Sequence, residues 1–129
     1  MTEKVATKLV LIRGLPGSGK STLGRSMAGF VHVEADMYFD WCDGVYRFDP
    51  SKVKDAHAWC QNAARAALLT RRNVVVSNTF TRKWEMEPYL NMAKELGVEV
   101  EIIVAKGEYP NIHGVPEETI ARMRERWED

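Results

Sequence analysis

The apolar run KLVLI, residues 8–12, leads straight into RGLPGSGKST, residues 13–22. Three glycines and a proline around one lysine cannot continue a strand, so the chain has to curl there before a helix can begin. A strand, a curled loop and a helix in that order make the opening of an α/β unit. The remainder of the chain repeats the alternation. Residues 9–12, 30–34, 74–77 and 98–104 are short, rich in β-branched residues and widely spaced, the pattern of a parallel sheet. Between Asp49 and Arg72, apolar or small residues at Val53, Ala56, Cys60, Ala63, Ala64, Ala67 and Leu68 keep helical spacing. Asp49 is the expected N-cap, with Pro50 at the first helical position. Residues 83–96 place Met86, Tyr89, Leu90 and Ala93 on one face and stop at Gly97, with Pro88 delaying or kinking the start. A last helix opens at Pro116 and carries Ile120, Met123 and Trp127. The expected fold is α/β, with four parallel strands and flanking helices. At 129 residues the chain is expected to form one domain, residues 1–129.

Gly14-x-x-x-x-Gly19-Lys20-Ser21 is the Walker A pattern, set between a strand and a helix as that pattern requires. Backbone N–H groups from Gly14, Leu15, Pro16, Gly17, Ser18 and Gly19 onward are expected to form a concave anion nest at a helix N-terminus, proline contributing shape rather than a donor. A nucleoside triphosphate such as ATP fits that nest. Lys20 is placed to reach the β- and γ-phosphates, the Ser21 hydroxyl to complete a Mg²⁺ shell, and Thr22 to touch the α-phosphate or cap the helix.

Asp36 follows the second strand. In a parallel sheet the C-terminal strand ends share one edge, so Asp36 is expected beside the loop, where its carboxylate can take the proton of an attacking hydroxyl. Asp40 and Asp43 read as turn or solvated residues. His32 reads as a packed strand residue and His57 as a structural one, while His113 is a candidate for substrate contact. It belongs to KGEYPNIHGV, residues 106–115, whose glycines and proline mark a connection suited to a lid. Arg82 and Lys83, just past the third strand, are candidates to meet an acceptor phosphate.

Composition narrows the partners. Lysine plus arginine equals aspartate plus glutamate at 18 each, so no chain-wide field argues for nucleic acid and any basic site is local. Cys42 and Cys60 lack metal-ligand spacing and the start MTEKVATK lacks an apolar signal core, which together lead us to expect reduced thiols and a cytoplasmic protein. No apolar run is long enough to span a bilayer, and no protein partner is inferable.

GLPGSGKST, EADMYF, DGVYRFDPSKVKDAHAWC, SNTFTRKWEMEPYL and NIHGVPEETIARM together cover nearly the whole chain. In these segments it resembles the polynucleotide 5′-kinase-like group of P-loop kinases, which implies the P-loop fold with the four strands ordered 2-3-1-4. The resemblance implies Mg²⁺-dependent transfer of the ATP γ-phosphate to a hydroxyl, a single-stranded DNA or RNA 5′ end being the acceptor, with Asp36 as general base. Three positions depart from that group: Phe39 stands where phage polynucleotide kinases carry an acceptor-binding arginine, Ser77 where many relatives carry an aspartate, and Tyr109-Pro110 where a lid arginine is common. Arg122 and Arg126, one turn apart on the last helix, are the substitutes that could face the nucleotide; otherwise they form a solvated face with Glu118. No fifth strand follows the lid segment, from which we expect poor base selectivity. Two alternatives stay open: a kinase for a nucleoside or small metabolite, and a nucleotide-binding module without productive transfer.

Overall fold

A computed structural model describes residues 7–40, 44–108 and 114–129. Strands β1 (Lys8–Arg13), β2 (Phe30–Val33), β3 (Asn73–Asn78) and β4 (Glu99–Val104) form one parallel sheet in the order β2-β3-β1-β4. The helices are α1 (Lys20–Ser26), α2 (Val53–Leu69), α3 (Glu87–Leu96) and α4 (Glu117–Arg126). Sheet order and alternation agree with the expectation from sequence.

Both faces of β1 are buried, as parallel sheets require. Leu9 and Leu11 join Val74, Val76, Ala56, Cys60, Ala64, Leu68, Tyr89 and Ala93 in the core under α2 and α3. Val10 and Ile12 point the other way with Val75, against Met27, Phe30, Ile103 and Ala105. The period-two alternation of β1 therefore serves two separate apolar clusters.

Helix starts differ from the sequence reading by a turn. Asp49 does cap, accepting from Ser51 N–H at 3.0 Å, but it caps a 3₁₀ turn over Pro50–Lys52 that precedes α2. A second 3₁₀ turn, Lys83–Met86, precedes α3, whose second residue is Pro88. Pro88 lacks an N–H that the first helical turn would leave unpaired anyway, so it delays the helix without kinking it. Gly97 ends α3 in the left-handed region at φ 68°. Trp127 lies just past the last turn of α4 instead of on its apolar face.

That displacement has a cause. Arg13, the last residue of β1, is 4% exposed, and its guanidinium lies 4.4 Å from the centroid of the Trp127 ring. Its Nε donates to the Phe80 carbonyl at 3.0 Å, and its NH2 group donates to the Glu128 carbonyl. Glu128 N–H in turn donates to the Thr81 carbonyl at 2.8 Å. Phe80 holds φ at 44°, a strained value for a bulky residue, while its buried ring packs edge-on against Tyr89 at 5.7 Å. One buried cation thus ties the end of β1, the turn after β3 and the segment after α4. Arg13→Met keeps the apolar stem and deletes the donors, leaving buried carbonyls unpaired. We expect it to lower unfolding free energy by about 2–4 kcal/mol, read from urea denaturation followed by circular dichroism.

Candidate active site

Pairing places the end of β1 beside the ends of β3 and β4, with Arg13 opposite both Asn78 and Val104. The chain then enters the glycine loop. Gly17 and Gly19 sit at φ 84° and 88°, values an L-residue adopts only with strain, and Gly19 is the N-cap of α1. No side chain caps this helix, so the N–H groups of its first turn face the cavity without a partner from the loop. Ser18 N–H closes the turn onto the Leu15 carbonyl at 3.0 Å, and Gly107 N–H after β4 donates to the Ser18 carbonyl at 2.9 Å.

Lys20, mostly buried at the helix start, has its ammonium pKa pushed down by burial, against the opposing pull of Glu34 and Asp36. Glu34 is the group that sequence reasoning missed. It was read as the end of the second strand, but β2 stops at Val33 and Glu34 begins a 3₁₀ turn that runs over Ala35–Phe39. Its Oε2 accepts from the Ser21 hydroxyl at 2.7 Å and from the Ser77 hydroxyl at 2.7 Å. His32 Nε2 lies 2.6 Å from Ser77 Oγ and 3.4 Å from Glu34 Oε2. Because Ser77 gives its proton to Glu34, its oxygen is the acceptor toward His32, and His32 carries hydrogen on Nε2. Burial pushes the Glu34 carboxyl up, yet the hydrogen bonds from His32, Ser21 and Ser77 and the His32 charge outweigh it and hold the pKa at about 2. His32 is thus packed, as expected, and also bonded into the site.

Asp36 is set by its neighbours. Asn78 Oδ1 accepts from Ala35 N–H at 2.9 Å, fixing the backbone one residue before it, and the Tyr46 hydroxyl donates to Asp36 Oδ1 at 3.2 Å. Burial and the nearby Asp36 charge push the Tyr46 phenol well up, so it stays a donor. Phe39 turns into an aromatic cluster, its ring 5.1 Å from Phe48, 6.1 Å from Tyr46 and 5.6 Å from Tyr38. Phe48 is 54% exposed and forms part of the cavity wall near Asp36.

The cavity, about 1250 Å³, gathers residues 16–23, Arg25 and Ser26 with Asp36, Tyr46, Phe48, His57, Asn78, Thr79, Lys106 and Gly107. Lys20, Ser21, Thr22 and Asp36 therefore meet in one space. Arg82 and Lys83 do not line it: the Arg82 guanidinium lies 3.9 Å from Glu128, whose carboxylate also accepts from Lys83 N–H at 2.7 Å. Arg122 and Arg126 are exposed and do not line it either, whereas Thr119 and Met123 of the same helix do. Of the lid segment, Lys106, Gly107, Gly114 and Val115 line the cavity, and His113 lies outside the described residues. Lys106 and Arg25 are the further cations on the wall, and nothing in their spacing singled them out.

Comparison with known proteins adds family and fold. The AAA domain family profile matches residues 9–108. NEDD4-binding protein 2 of Homo sapiens is 35% identical over 141 residues, covering 98% of this chain and 8% of that protein, so the chain spans a small part of its relative. Among solved structures, a chain of the Pnkp1/Rnl/Hen1 complex superposes with TM-score 0.65 at 21% identity, over 94% of this chain and 40% of that one. A gluconokinase from Sinorhizobium meliloti gives 0.64 at 19% identity over 98% and 78%. The Mycobacterium tuberculosis APS kinase CysC, in complex with AMPPNP and APS, gives 0.57 at 15% identity over 91% and 68%. The shared feature is a P-loop kinase fold.

The Glu34 cluster has a pH signature. With a folded pKa of about 2 against an ordinary 4.5, ionised Glu34 stabilises the fold above pH 4.5, and that contribution is lost as pH falls through 4.5 toward 2. Glu34→Gln cannot ionise. Unfolding titrations should find the stability gap between wild type and this variant narrowing by up to about 3 kcal/mol between about pH 5 and pH 2.

Proposed function

The chain belongs to the AAA domain family and has the fold of the P-loop kinases, and from that premise we propose that it transfers the γ-phosphate of ATP to a hydroxyl, the 5′-hydroxyl of a polynucleotide being the leading acceptor. The observation that carries this reading is the single cavity holding both the glycine loop with Lys20 and the Asp36 carboxylate. Its volume of about 1250 Å³ exceeds the roughly 300–1,000 Å³ of a one-ligand pocket, leaving space for a nucleotide and an acceptor together.

In this reading the triphosphate lies on the open N–H groups of the loop and α1, and Lys20 neutralises charge on the β- and γ-phosphates. Asp36 accepts the proton of the acceptor hydroxyl as its oxygen bonds to the γ-phosphorus. The bond from that phosphorus to the β,γ-bridging oxygen breaks, and ADP leaves. Tyr46 and Asn78 orient Asp36. Lys106 and Arg25, on the wall where Arg122 and Arg126 are not, supply the further positive charge. The hard oxygen donors Ser21 Oγ and the nearby carboxylates suit Mg²⁺, which when bound with the nucleotide offsets the charge of the transferring group.

The acceptor side is aromatic. A terminal base stacked on the exposed Phe48 ring gains about 1–3 kcal/mol without sequence preference, which suits a polynucleotide end held by stacking in place of a phosphate clamp. The same wall, with Arg82 paired to Glu128 and neither Arg82 nor Lys83 lining the cavity, favours the second reading, a nucleoside or other flat small acceptor. A nucleotide-binding module without transfer is the third.

Three variants and one screen separate these. Lys20→Ala should fold normally and lose several kcal/mol of barrier lowering, measured as single-turnover rate. Asp36→Asn should keep ATP binding within a few-fold while transfer falls by roughly 10² to 10⁴; joint loss of binding and transfer would make Asp36 a structural residue. With γ-labelled ATP, label is expected on a single-stranded oligonucleotide 5′ end, and Phe48→Ala should raise its KM by about 5- to 100-fold. Label on a nucleoside or metabolite alone favours the second reading, and label on nothing the third.

A further inference from the structure

Glu34 is 8% exposed, and neither strand packing nor the proton-accepting role of Asp36 calls for a carboxylate there. Burying an ionised carboxylate costs several kcal/mol unless its surroundings are built for it, and these are. Two hydroxyls, from α1 and from β3, donate to the same oxygen, Oε2, while Oε1 accepts no hydrogen bond among the described residues. The Ser21 hydroxyl has one proton, and Glu34 holds it. The Ser21 lone pairs are therefore left free, the state in which a hydroxyl can ligate a cation. On the far side, His32 supports Ser77, and α1 passes so close that a Cβ on Gly24 would lie 2.7 Å from His32 Nε2. Glycine at that position is what lets the helix and the imidazole coexist. Opposite Ser21, β3 supplies the Ser77 hydroxyl and no acid, and a carboxylate reaches the same point from the end of β2.

Resting on the nucleotide-binding reading above, we infer that Glu34 is the carboxylate of the Mg²⁺ site: it holds the Ser21 proton so that Ser21 Oγ can face the cation, and its other oxygen serves the water shell. Ser77 and His32 are positioning residues that fix the rotamer of Glu34. Mg²⁺ suits such a site, since it keeps several waters and takes one or two carboxylates together with substrate phosphates. Outer-shell partners of this kind orient the direct ligands and tune their affinity.

The test reads Mg²⁺ dependence of nucleotide binding, not turnover. Affinity for a fluorescent ATP analogue is measured with wild type and Glu34→Gln in EDTA and across a Mg²⁺ titration. Glu34→Gln is expected to bind within about threefold of wild type in EDTA and to need about 10- to 100-fold more Mg²⁺ for half-saturation. An unchanged Mg²⁺ response in the folded variant overturns the inference and leaves nucleotide binding standing. The exchange Glu34→Ser with Ser77→Asp moves the carboxylate across the 2.7 Å contact onto β3 and should recover most of the response. Should circular dichroism find Glu34→Gln unfolded, this double variant decides alone: a retained response supports the inference and a lost one overturns it. If wild type binds no nucleotide with or without Mg²⁺, the inference and the reading beneath it both fall.

Discussion

Everything at the site depends on the position of β1 between β3 and β4. Its four central residues, Leu9 to Ile12, have no exposed surface, and its register sets Ile12 opposite Ser77 and Arg13 opposite Asn78. The side-chain period of a strand is two, so a slip of one residue would exchange the Leu9 and Leu11 face with the Val10 and Ile12 face and mismatch both cores. Burial on two faces therefore fixes the level at which the glycine loop leaves the sheet. On the other edge Ala105 N–H meets the Arg13 carbonyl at 2.8 Å, which brings the chain after β4 across the loop.

With that level set, the polar groups at the sheet edge fall into two sets. Ser21, Glu34, Ser77 and His32 draw together α1, β2, β3 and the start of the turn out of β2, while Asn78 and Ala35, one residue further on, and Tyr46 set Asp36. The two carboxylates have different surroundings. Glu34 is enclosed by donors that hold it ionised; Asp36 is half-buried on the cavity wall. Lys20 lies between the loop and both charges, and burial, which disfavours its ammonium, is countered by them. A compact edge of this kind is preorganised: the charges a phosphoryl group needs are held in place before it arrives.

The two walls of the cavity are made differently. The loop wall is backbone N–H and cation, whereas Tyr46 and Phe48 make the other wall aromatic, with Phe39 packed against both rings. Stacking on such a surface tolerates many rings, while a cationic clamp selects phosphates. Among the described residues no helix is long and apolar enough to cross a membrane. The family match, spanning residues 9–108, ends before α4, the helix that contributes Thr119 and Met123 to the cavity.

The strand order rests on the family resemblance, while local sequence was enough for the strand–loop–helix start, the four strands and the meeting of Lys20, Ser21 and Asp36. Each follows from short-range rules: period two in a strand, glycine at positive φ, strand ends sharing an edge in a parallel sheet. Only tertiary packing decided the partners of groups distant in sequence. Glu34 read as a strand end because its bonds go to Ser21 and to Ser77, 43 positions away. Nothing local marks Arg13, because Trp127 and Glu128, 115 positions on in the latter case, complete its pocket. Arg82 and Lys83 looked available from their place past a strand end, and Arg122 and Arg126 from their helical spacing; neither rule says what lies opposite, and Arg82 meets Glu128 while Arg122 bonds Thr119 on its own helix and Arg126 is exposed. A charge acts through whatever lies within a few ångströms of it, and for these residues that neighbourhood is made by the docking of the last segment and the pairing of β2 with β3.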